Sequence, residues 1–255
     1  MKFISKSHRH AEVILENDSQ FTSDWEEVKM ALRSIYDGDI IRKFNTHSRQ
    51  KHKSISTVLN MLIKERLLAL GWVSQPYIFQ EPHMKTDKTW RLDFAKPGSI
   101  AIEVAYNHGE AVSWNLIKPV LASNINLMNR ETVTQIGIII SATHSLKETG
   151  GFDGAVGTFE KYEQYLMPLH AQLNAPLLLL GLLPPRTFRI EHYQLHDRKK
   201  IYGRIKYIVR FRRKPDSRLD IVTLRASYRG RIYCFNKIKR DTVLLNSFYN
   251  LGHID

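Results

Sequence analysis

The sequence is poor in the features that mark secreted and membrane proteins. Its only cysteine is Cys234, so no disulfide can form within the chain. Its longest apolar run, residues 175–183, is about nine residues and contains a glycine, whereas a membrane-spanning helix needs about 20 apolar residues. The first residues also lack the apolar segment of a secretory signal. We therefore expect a cytoplasmic protein with no membrane partner.

The composition is that of a folded domain. Of the 255 residues, 43% are hydrophobic and 25% are charged, which excludes the low hydrophobicity of disordered chains. The length suits one sizeable domain or two small ones, since domains usually have about 100 to 200 residues. No internal repeat or low-complexity segment is visible.

Acidic residues are scarce relative to basic ones, and the imbalance is concentrated at one end. Lys and Arg number 38 and Asp and Glu 25, giving a net charge of +13. Residues 186–255 contain 18 basic and 6 acidic residues, so this segment alone contributes +12. A concentrated basic surface attracts polyanions, and nucleic acid is the leading partner. A membrane surface and the ribosome are the alternatives.

The apolar spacing predicts an α/β protein. A capping box at Ser23 and Glu26 predicts a helix that ends at Gly38, and residues 42–53 follow as a basic loop or DNA-facing arm. Further helices are predicted from 3.6-residue periodicity, and strands from apolar runs bounded by turn residues. The predicted helices are 54–70, 111–123 and 153–173, and the predicted strands are 90–94, 100–106, 135–141, 177–183, 205–211 and 219–224.

The pattern changes at Pro184 and Pro185, after which alternating β-type runs dominate. We therefore predict an α/β core over residues 1–185 and a basic, β-rich subdomain over residues 186–255 that contacts DNA.

Two carboxylates lie on strands that a short turn should pair. Asp93 and Glu103 flank a turn at residues 96–99, so their side chains are expected to meet. Two carboxylates and a backbone carbonyl can hold Mg²⁺, which prefers oxygen ligands. Asn60 and Lys64, on the preceding helix, could reach the same place. Acidic pairs on strands are common, so solvated or salt-bridged carboxylates are the alternative interpretation.

A resemblance to a known family favours the metal site. Residues 90–94 followed by 102–104 resemble the PD-(D/E)XK nuclease core, and the chain is most similar to type II restriction endonucleases of the BglII and BstYI kind. The similarity covers about residues 1–185 and leaves the basic tail uncovered. The supporting stretches, in the same order as in that family, are residues 9–15, 25–27, 60–67, 72, 158–166 and 175–182.

The resemblance implies a central mixed β-sheet flanked by helices and a homodimeric, Mg²⁺-dependent enzyme that cuts double-stranded DNA at a short palindrome. Mn²⁺ is expected to substitute for Mg²⁺. Asp93 and Glu103 match the metal-binding acids, the carbonyl of Val104 would be a further ligand, and Asn60 matches a helical asparagine that orients the site. A bacterial or archaeal source and a cognate DNA methyltransferase are also implied.

Ala105 departs from the family pattern, which has lysine or glutamine at this position. A methyl group cannot bind water or stabilise negative charge. Either another side chain has taken over that role, or the metal suffices, or the enzyme is impaired. The candidate replacements are Lys64, Gln80, Glu110 and Lys118.

Basic residues elsewhere are candidates for phosphate contacts, which position a protein on DNA without reading sequence. Lys147, in a glycine-rich loop, could also lie near the bases. The other candidates are Arg49, Lys51, Lys53, Arg212, Arg213, Arg225 and Arg229.

Three other functions remain open on sequence grounds. A catalytically decayed nuclease fold would bind DNA without cutting it, and Ala105 motivates this alternative. A repair or structure-selective nuclease would cut without a discrete fragment pattern, and a ribosome-associated protein would prefer RNA.

Overall fold

A computed structural model describes residues 1–46, 52–123, 129–194 and 201–208, together with the backbone of three strands beyond residue 208. The chain divides into two compact units, Met1–Lys206 and Tyr207–Asp255. The acid pair and all the helices described below lie in the first unit.

The first unit is built on a six-stranded mixed sheet with the strand order β1-β6-β5-β4-β3-β2. The central strands β4, β5 and β6 are parallel, while β1 pairs antiparallel with β6, and β3 pairs antiparallel with both β4 and β2. The expectation of a central mixed sheet is confirmed. The strands are β1 (Phe3–His8), β2 (Val73–Ser74), β3 (Phe94–Ala95), β4 (Ile100–Ala105), β5 (Ile136–Ala142) and β6 (Leu177–Leu182).

Seven α-helices are present in the described ranges, and short 3₁₀ turns occupy Pro82–Thr86, Lys88–Trp90 and Gly109–Ala111. Within those ranges, no helix is both long and apolar enough to cross a membrane. The helices are α1 (Ala11–Asn17), α2 (Ser19–Arg33), α3 (Asp37–Thr46), α4 (Ser56–Ala69), α5 (Val112–Ala122), α6 (His144–Thr149) and α7 (Phe159–Leu166).

Both faces of the central strands are covered. Every residue of β5 and β6 is buried, as expected of parallel strands that read as continuous apolar runs. On the face that carries Ile139, residues from α5 and α7 form a cluster that includes Leu116 and Tyr162. The sheet therefore serves as a rigid platform, and α5 is packed directly against β4 and β5.

The segment after Pro185 begins with a hairpin that is attached to the first unit. Strands β7 (Phe188–Gln194) and β8 (Ile201–Tyr207) form a two-stranded sheet. The amide of Gly203 donates to the carbonyl of His52 at 2.8 Å, and the amide of Thr187 donates to the Asp37 carboxylate at 2.9 Å. Because of these bonds the compact unit extends to Lys206, beyond the proline pair at which we place the domain boundary.

The second unit contains a three-stranded antiparallel sheet. Its strands are β9 (Phe211–Arg212), β10 (Ile221–Tyr228) and β11 (Arg231–Ile238). The β-rich character predicted for the tail is therefore present in both the hairpin and this sheet. Its role as a separate DNA-contacting subdomain stays a prediction.

Three local predictions in the first fifty residues are wrong. The helix predicted to end at Gly38 ends at Arg33, and Gly38 lies inside α3. Helix α2 begins at Ser19, where the Asp18 side chain caps the amide of Gln20 at 3.0 Å, so the predicted capping box at Ser23 lies inside the helix. Residues 42–46 are helical, because α3 places Ile40 and Phe44 in the core. Residues 47–51 lie outside the described part of the chain.

Two further elements are shorter than predicted. Residues 88–90 form a 3₁₀ turn instead of a strand, and β3 has only the two residues Phe94 and Ala95. Helix α7 covers Phe159–Leu166, not the whole of residues 153–173. The remaining helices and strands predicted for the first unit are present at about their predicted positions.

Replacing a buried sheet residue should cost far more stability than the same change on an exposed helix face. Leu179 in β6 is fully buried and Leu68 in α4 is 43% exposed. We expect Leu179→Ala to lower the free energy of unfolding by about 2 to 5 kcal/mol and Leu68→Ala to change it by less than about 0.5 kcal/mol. Urea denaturation of both variants measures the difference, and equal losses would contradict this packing.

Candidate active site

The acid pair forms where β3 meets β4. Asp93 directly precedes β3, Glu103 lies in the middle of β4, and Phe94 pairs with Ile102. The amide of Asp93 donates to Glu103 Oε1 at 3.3 Å, and the amide of Val104 donates to Asp93 Oδ2 at 2.8 Å. The turn between the strands therefore brings the two carboxyl groups together.

The environment of Glu103 disfavours its charged form. Its side chain is only 2% exposed. Burial, together with the nearby charge of Asp93, raises the pKa of Glu103 to about 8, and Lys118 opposes these two effects only in part. A carboxyl group in this state binds a proton near neutral pH unless a cation stabilises its charge.

Lys118 reaches the acid pair from α5. Its Nζ contacts Glu103 Oε2 and donates to the carbonyl of Arg91 at 3.3 Å. Pro119, the next residue, packs against the sheet where Gly137 has no side chain, and a Cβ at that glycine would lie 2.5 Å from Pro119 Cβ. The ammonium group thus connects α5 to the buried Glu103 carboxylate and to the segment that carries Asp93.

Gln75 is a partner of Asp93 that sequence reasoning missed. Its amide donates to the Asp93 carbonyl at 2.9 Å, and its side-chain Nε2 donates to Asp93 Oδ1 at 3.1 Å. The residue follows β2 with a left-handed backbone, φ 58°, which is uncommon outside glycine. No sequence signal marks such a position, since the conformation depends on tertiary contacts.

Ala105 is enclosed by the cluster under α5 and α7. It is 2% exposed and packs with Tyr162. The hydroxyl of Tyr162 accepts from Asn115 Nδ2 at 2.6 Å, and the same amide donates to Asn107 Oδ1 at 2.9 Å. Burial raises the pKa of Tyr162, and the charges of Glu103 and Asp93 add to the effect. Position 105 thus belongs to the same buried cluster as Tyr162, whose hydroxyl is bonded to a buried amide.

The other candidate catalytic residues lie at the surface or bond to other groups. Asn60 and Lys64 are exposed on α4, and no hydrogen bond or ion pair within the described ranges joins them to Asp93 or Glu103. Gln80 donates to the carbonyl of Arg130 at 3.0 Å. Glu110 is exposed in the 3₁₀ turn Gly109–Ala111. Of the four candidate replacements for the missing lysine, the structure places Lys118 against the acid pair.

Two of the candidate DNA contacts have internal partners. Lys53 pairs with Asp153 at 2.9 Å. Lys147 lies on α6, not in a loop as predicted, and its Nζ donates to the carbonyls of Gly154 and Val156 at 2.6 and 3.1 Å. Arg49, Lys51, Arg213 and Arg229 lie outside the described residues, and only the backbone of Arg212 and Arg225 is described.

The donor set at the acid pair fits a hard divalent cation. Asp93 and Glu103 supply carboxylate oxygens, and two neighbouring negative charges are stabilised when a cation lies between them. Within the described ranges there is no group of three or more His, Cys, Asp or Glu residues that could hold a metal. Carbonyl, water or substrate oxygens would therefore complete the coordination, which is the usual situation for Mg²⁺.

A mixed sheet flanked by helices, with an aspartate before one strand and a glutamate on the next, is the arrangement expected of a restriction-endonuclease-like nuclease. The family model described as restriction endonuclease BglII/BglIII matches residues 3–182. The chain belongs to this family and is a type II restriction endonuclease, a site-specific deoxyribonuclease.

Two solved structures are similar to the chain, and the first of them shows the same fold. The crystal structure of restriction endonuclease BglII complexed with a DNA 16-mer matches with a TM-score of 0.55 at 17% identity, covering 94% of this chain and all of that one. The crystal structure of free BglII matches with a TM-score of 0.45 at 16% identity, covering 92% of this chain and 100% of that chain. No curated protein sequence matches the chain.

The pKa of Glu103 predicts how stability depends on pH without metal. Since folding raises this pKa from 4.5 to about 8, the protonated form is favoured by the fold, and stability is lost as pH rises between these values. Glu103→Gln keeps a neutral side chain of similar shape. Between pH 5 and pH 8 in EDTA, we expect wild type to lose about 1 to 3 kcal/mol more unfolding free energy than this variant.

Urea denaturation at several pH values measures this difference. Glu16, an exposed residue of α1, supplies the control Glu16→Gln, which should follow the wild-type profile. Parallel profiles for wild type and Glu103→Gln would contradict a buried, proton-binding Glu103.

Proposed function

We propose that the chain is a Mg²⁺-dependent type II restriction endonuclease that hydrolyses both strands of DNA at a short palindromic sequence. The observation that carries this proposal is the joining of Asp93, Glu103 and Lys118 at one point of the family fold. The relative of known structure was solved with DNA, which supports double-stranded DNA as the substrate here.

Asp93, Glu103 and the carbonyl of Val104 would hold the Mg²⁺, and Mn²⁺ would fit the same oxygen donors. When bound, the cation polarises a phosphate and lowers the pKa of water for attack on the phosphodiester. Gln75 fixes the Asp93 carboxylate through Oδ1, and the Val104 amide fixes it through Oδ2. These bonds hold the acid in one orientation before substrate binds.

Lys118 supplies the positive charge that Ala105 cannot. It contacts Glu103 directly and is only 9% exposed, so its side chain is fixed beside the acids. A cation here stabilises the deprotonated carboxylate and the negative charge that develops on the phosphate. We propose that this lysine, delivered by α5 instead of β4, replaces the family's lysine or glutamine. The role of Asn60 stays a prediction.

A palindromic site follows from a homodimer in which each subunit reads one half-site. Acting in the cytoplasm of a bacterium or archaeon, such an enzyme requires a cognate methyltransferase that protects host DNA. The basic residues of the tail, among them Arg212, Arg213, Arg225 and Arg229, are proposed to contact backbone phosphates, and so are Arg49 and Lys51.

The second candidate function, sequence-specific DNA binding on a decayed nuclease fold, is motivated by Ala105. The contact between Lys118 and Glu103 favours an active enzyme, because it restores a positive charge beside the acids.

Digestion of phage DNA tests the nuclease function. With Mg²⁺ we expect discrete fragments, and with EDTA none. Asp93→Asn and Glu103→Gln should each lower cleavage at least about 10³-fold, because each removes a charged ligand of the cation. The fragment ends give the recognition sequence and show whether it is palindromic.

The same experiment distinguishes the alternatives. A mobility shift without cleavage across many DNAs would support the decayed fold, and a smear without discrete fragments would indicate a structure-selective or repair nuclease.

Substitution of Lys118 tests the replacement of the missing lysine. Lys118→Met keeps an unbranched side chain but removes the charge, and we expect single-turnover cleavage to fall about 10²- to 10³-fold. Lys64→Met makes the same change on the exposed face of α4 and should cleave at the wild-type rate. Equal cleavage by both variants would show that the charge of Lys118 is not used.

A further inference from the structure

Arg91 lies two residues before Asp93, in the segment that leads into β3. The backbone of Arg91 has φ −112° and ψ 140°, and the residue forms a bridge with Tyr77. Leu92, between Arg91 and Asp93, is fully buried and belongs to the same buried cluster as Ala95 and Ala101. The carbonyl of Arg91 also accepts from Lys118. Arg91 thus lies on the segment that carries Asp93, and its carbonyl is bonded to the lysine that contacts Glu103.

Tyr77 holds this guanidinium in one position. Arg91 Cζ lies 4.1 Å from the centre of the Tyr77 ring, and an Arg91 terminal nitrogen donates to the Tyr77 hydroxyl. That hydroxyl in turn donates to the carbonyl of Lys85 at 2.6 Å. The tyrosine therefore contacts the guanidinium with both its ring and its oxygen, and its own proton is committed to the backbone.

The charge of Arg91 has no acidic partner among the described residues, and its buried Nε donates to no described group. Lys85, near the same ring, differs in this respect because it pairs with Glu131. Guanidinium groups donate five N–H bonds in a planar fork that matches phosphate oxygens. The Arg91 guanidinium is therefore held against Tyr77, half-buried and without an acidic partner in the described ranges, on a residue two positions before Asp93.

We propose that Arg91 binds a non-bridging oxygen of the DNA phosphate at the acid pair, with Tyr77 as its positioning residue. This inference rests on the proposed nuclease function, since it assigns Arg91 to the same phosphate. In this arrangement Lys118 stabilises the charge of the Glu103 carboxylate, and Arg91 binds the phosphate. Holding the guanidinium in place before DNA arrives avoids ordering a long side chain during binding.

Arg91→Ala is the central variant, and Arg33→Ala is its matched control. Arg33 is an exposed arginine of α2 that also lies over an aromatic ring, with Cζ 5.8 Å from the centre of Phe3. Arg91→Lys keeps the charge but not the planar fork. Thermal unfolding of all variants verifies folding before DNA is added.

The first readout is DNA binding in Ca²⁺, which allows binding to be measured without cleavage. Affinity for a duplex containing the mapped site is measured from about 50 to 200 mM salt. Losing one phosphate contact should reduce the slope of log affinity against log salt by about 0.9 per bound chain. We expect this reduction in Arg91→Ala and not in Arg33→Ala or Arg91→Lys.

The second readout locates the phosphate. Duplexes with one methylphosphonate at the cleaved linkage or at either neighbour lack one negative oxygen each. At one of these positions the methylphosphonate should lower the affinity of wild type for the duplex. It should not lower the affinity of Arg91→Ala, because that variant already lacks the contact with this phosphate. A merely structural role for Arg91 would leave the two losses additive.

Single-turnover cleavage completes the test. We expect Arg91→Ala to cleave about 10²- to 10³-fold more slowly than wild type, Arg91→Lys to be intermediate, and Arg33→Ala to match wild type. The inference would be overturned if Arg91→Ala had the same salt slope and cleavage rate as wild type. If Arg91→Ala does not fold, cleavage by Arg91→Lys at the wild-type rate would overturn it. If wild type itself cuts no DNA, the proposed function fails, and the salt slopes on any duplex still test Arg91.

Discussion

The rest of the site depends on one unfavourable feature, which is the burial of a carboxyl group in the middle of a mixed sheet. Glu103 lies in β4 with both neighbouring strands in place, and its charge can exist there only if cations approach it. Lys118 is the cation that the chain itself provides. The orientation of α5, the path of the segment through Arg91 and the placement of Asp93 are all linked to this group by hydrogen bonds.

Much of this architecture could be predicted from the sequence, because burial on both faces leaves a continuous apolar run. Strands β5 and β6 follow from such runs, and the helix over residues 56–69 follows from apolar residues at 3.6-residue spacing. The errors occur where local signals compete. Asp18 and Ser23 are both good caps, and packing of Phe21 and Trp25 in one continuous helix selects Asp18. Trp90 looks like a strand residue, but it ends a 3₁₀ turn in which its ring meets Phe79 and Trp114.

The site was predictable to the extent that it depends on strand adjacency. A turn of four residues between two strands was sufficient to pair Asp93 with Glu103. Lys118 and Lys64 could not be separated by sequence, since each lies on a helix and only the packing of that helix decides which way a lysine points. Gln75 could not be predicted at all, because its contact depends on a left-handed backbone between two short strands.

The missing side chain at Gly137 in β5 affects the position of Lys118 in α5. Pro119 occupies the space that a side chain at position 137 would fill, and Lys118 is its immediate neighbour in α5. Helix α5 can approach the sheet at this point because Gly137 has no side chain, and the same helix carries Lys118. A side chain at position 137 would therefore displace the lysine through Pro119, although it would not contact the lysine itself.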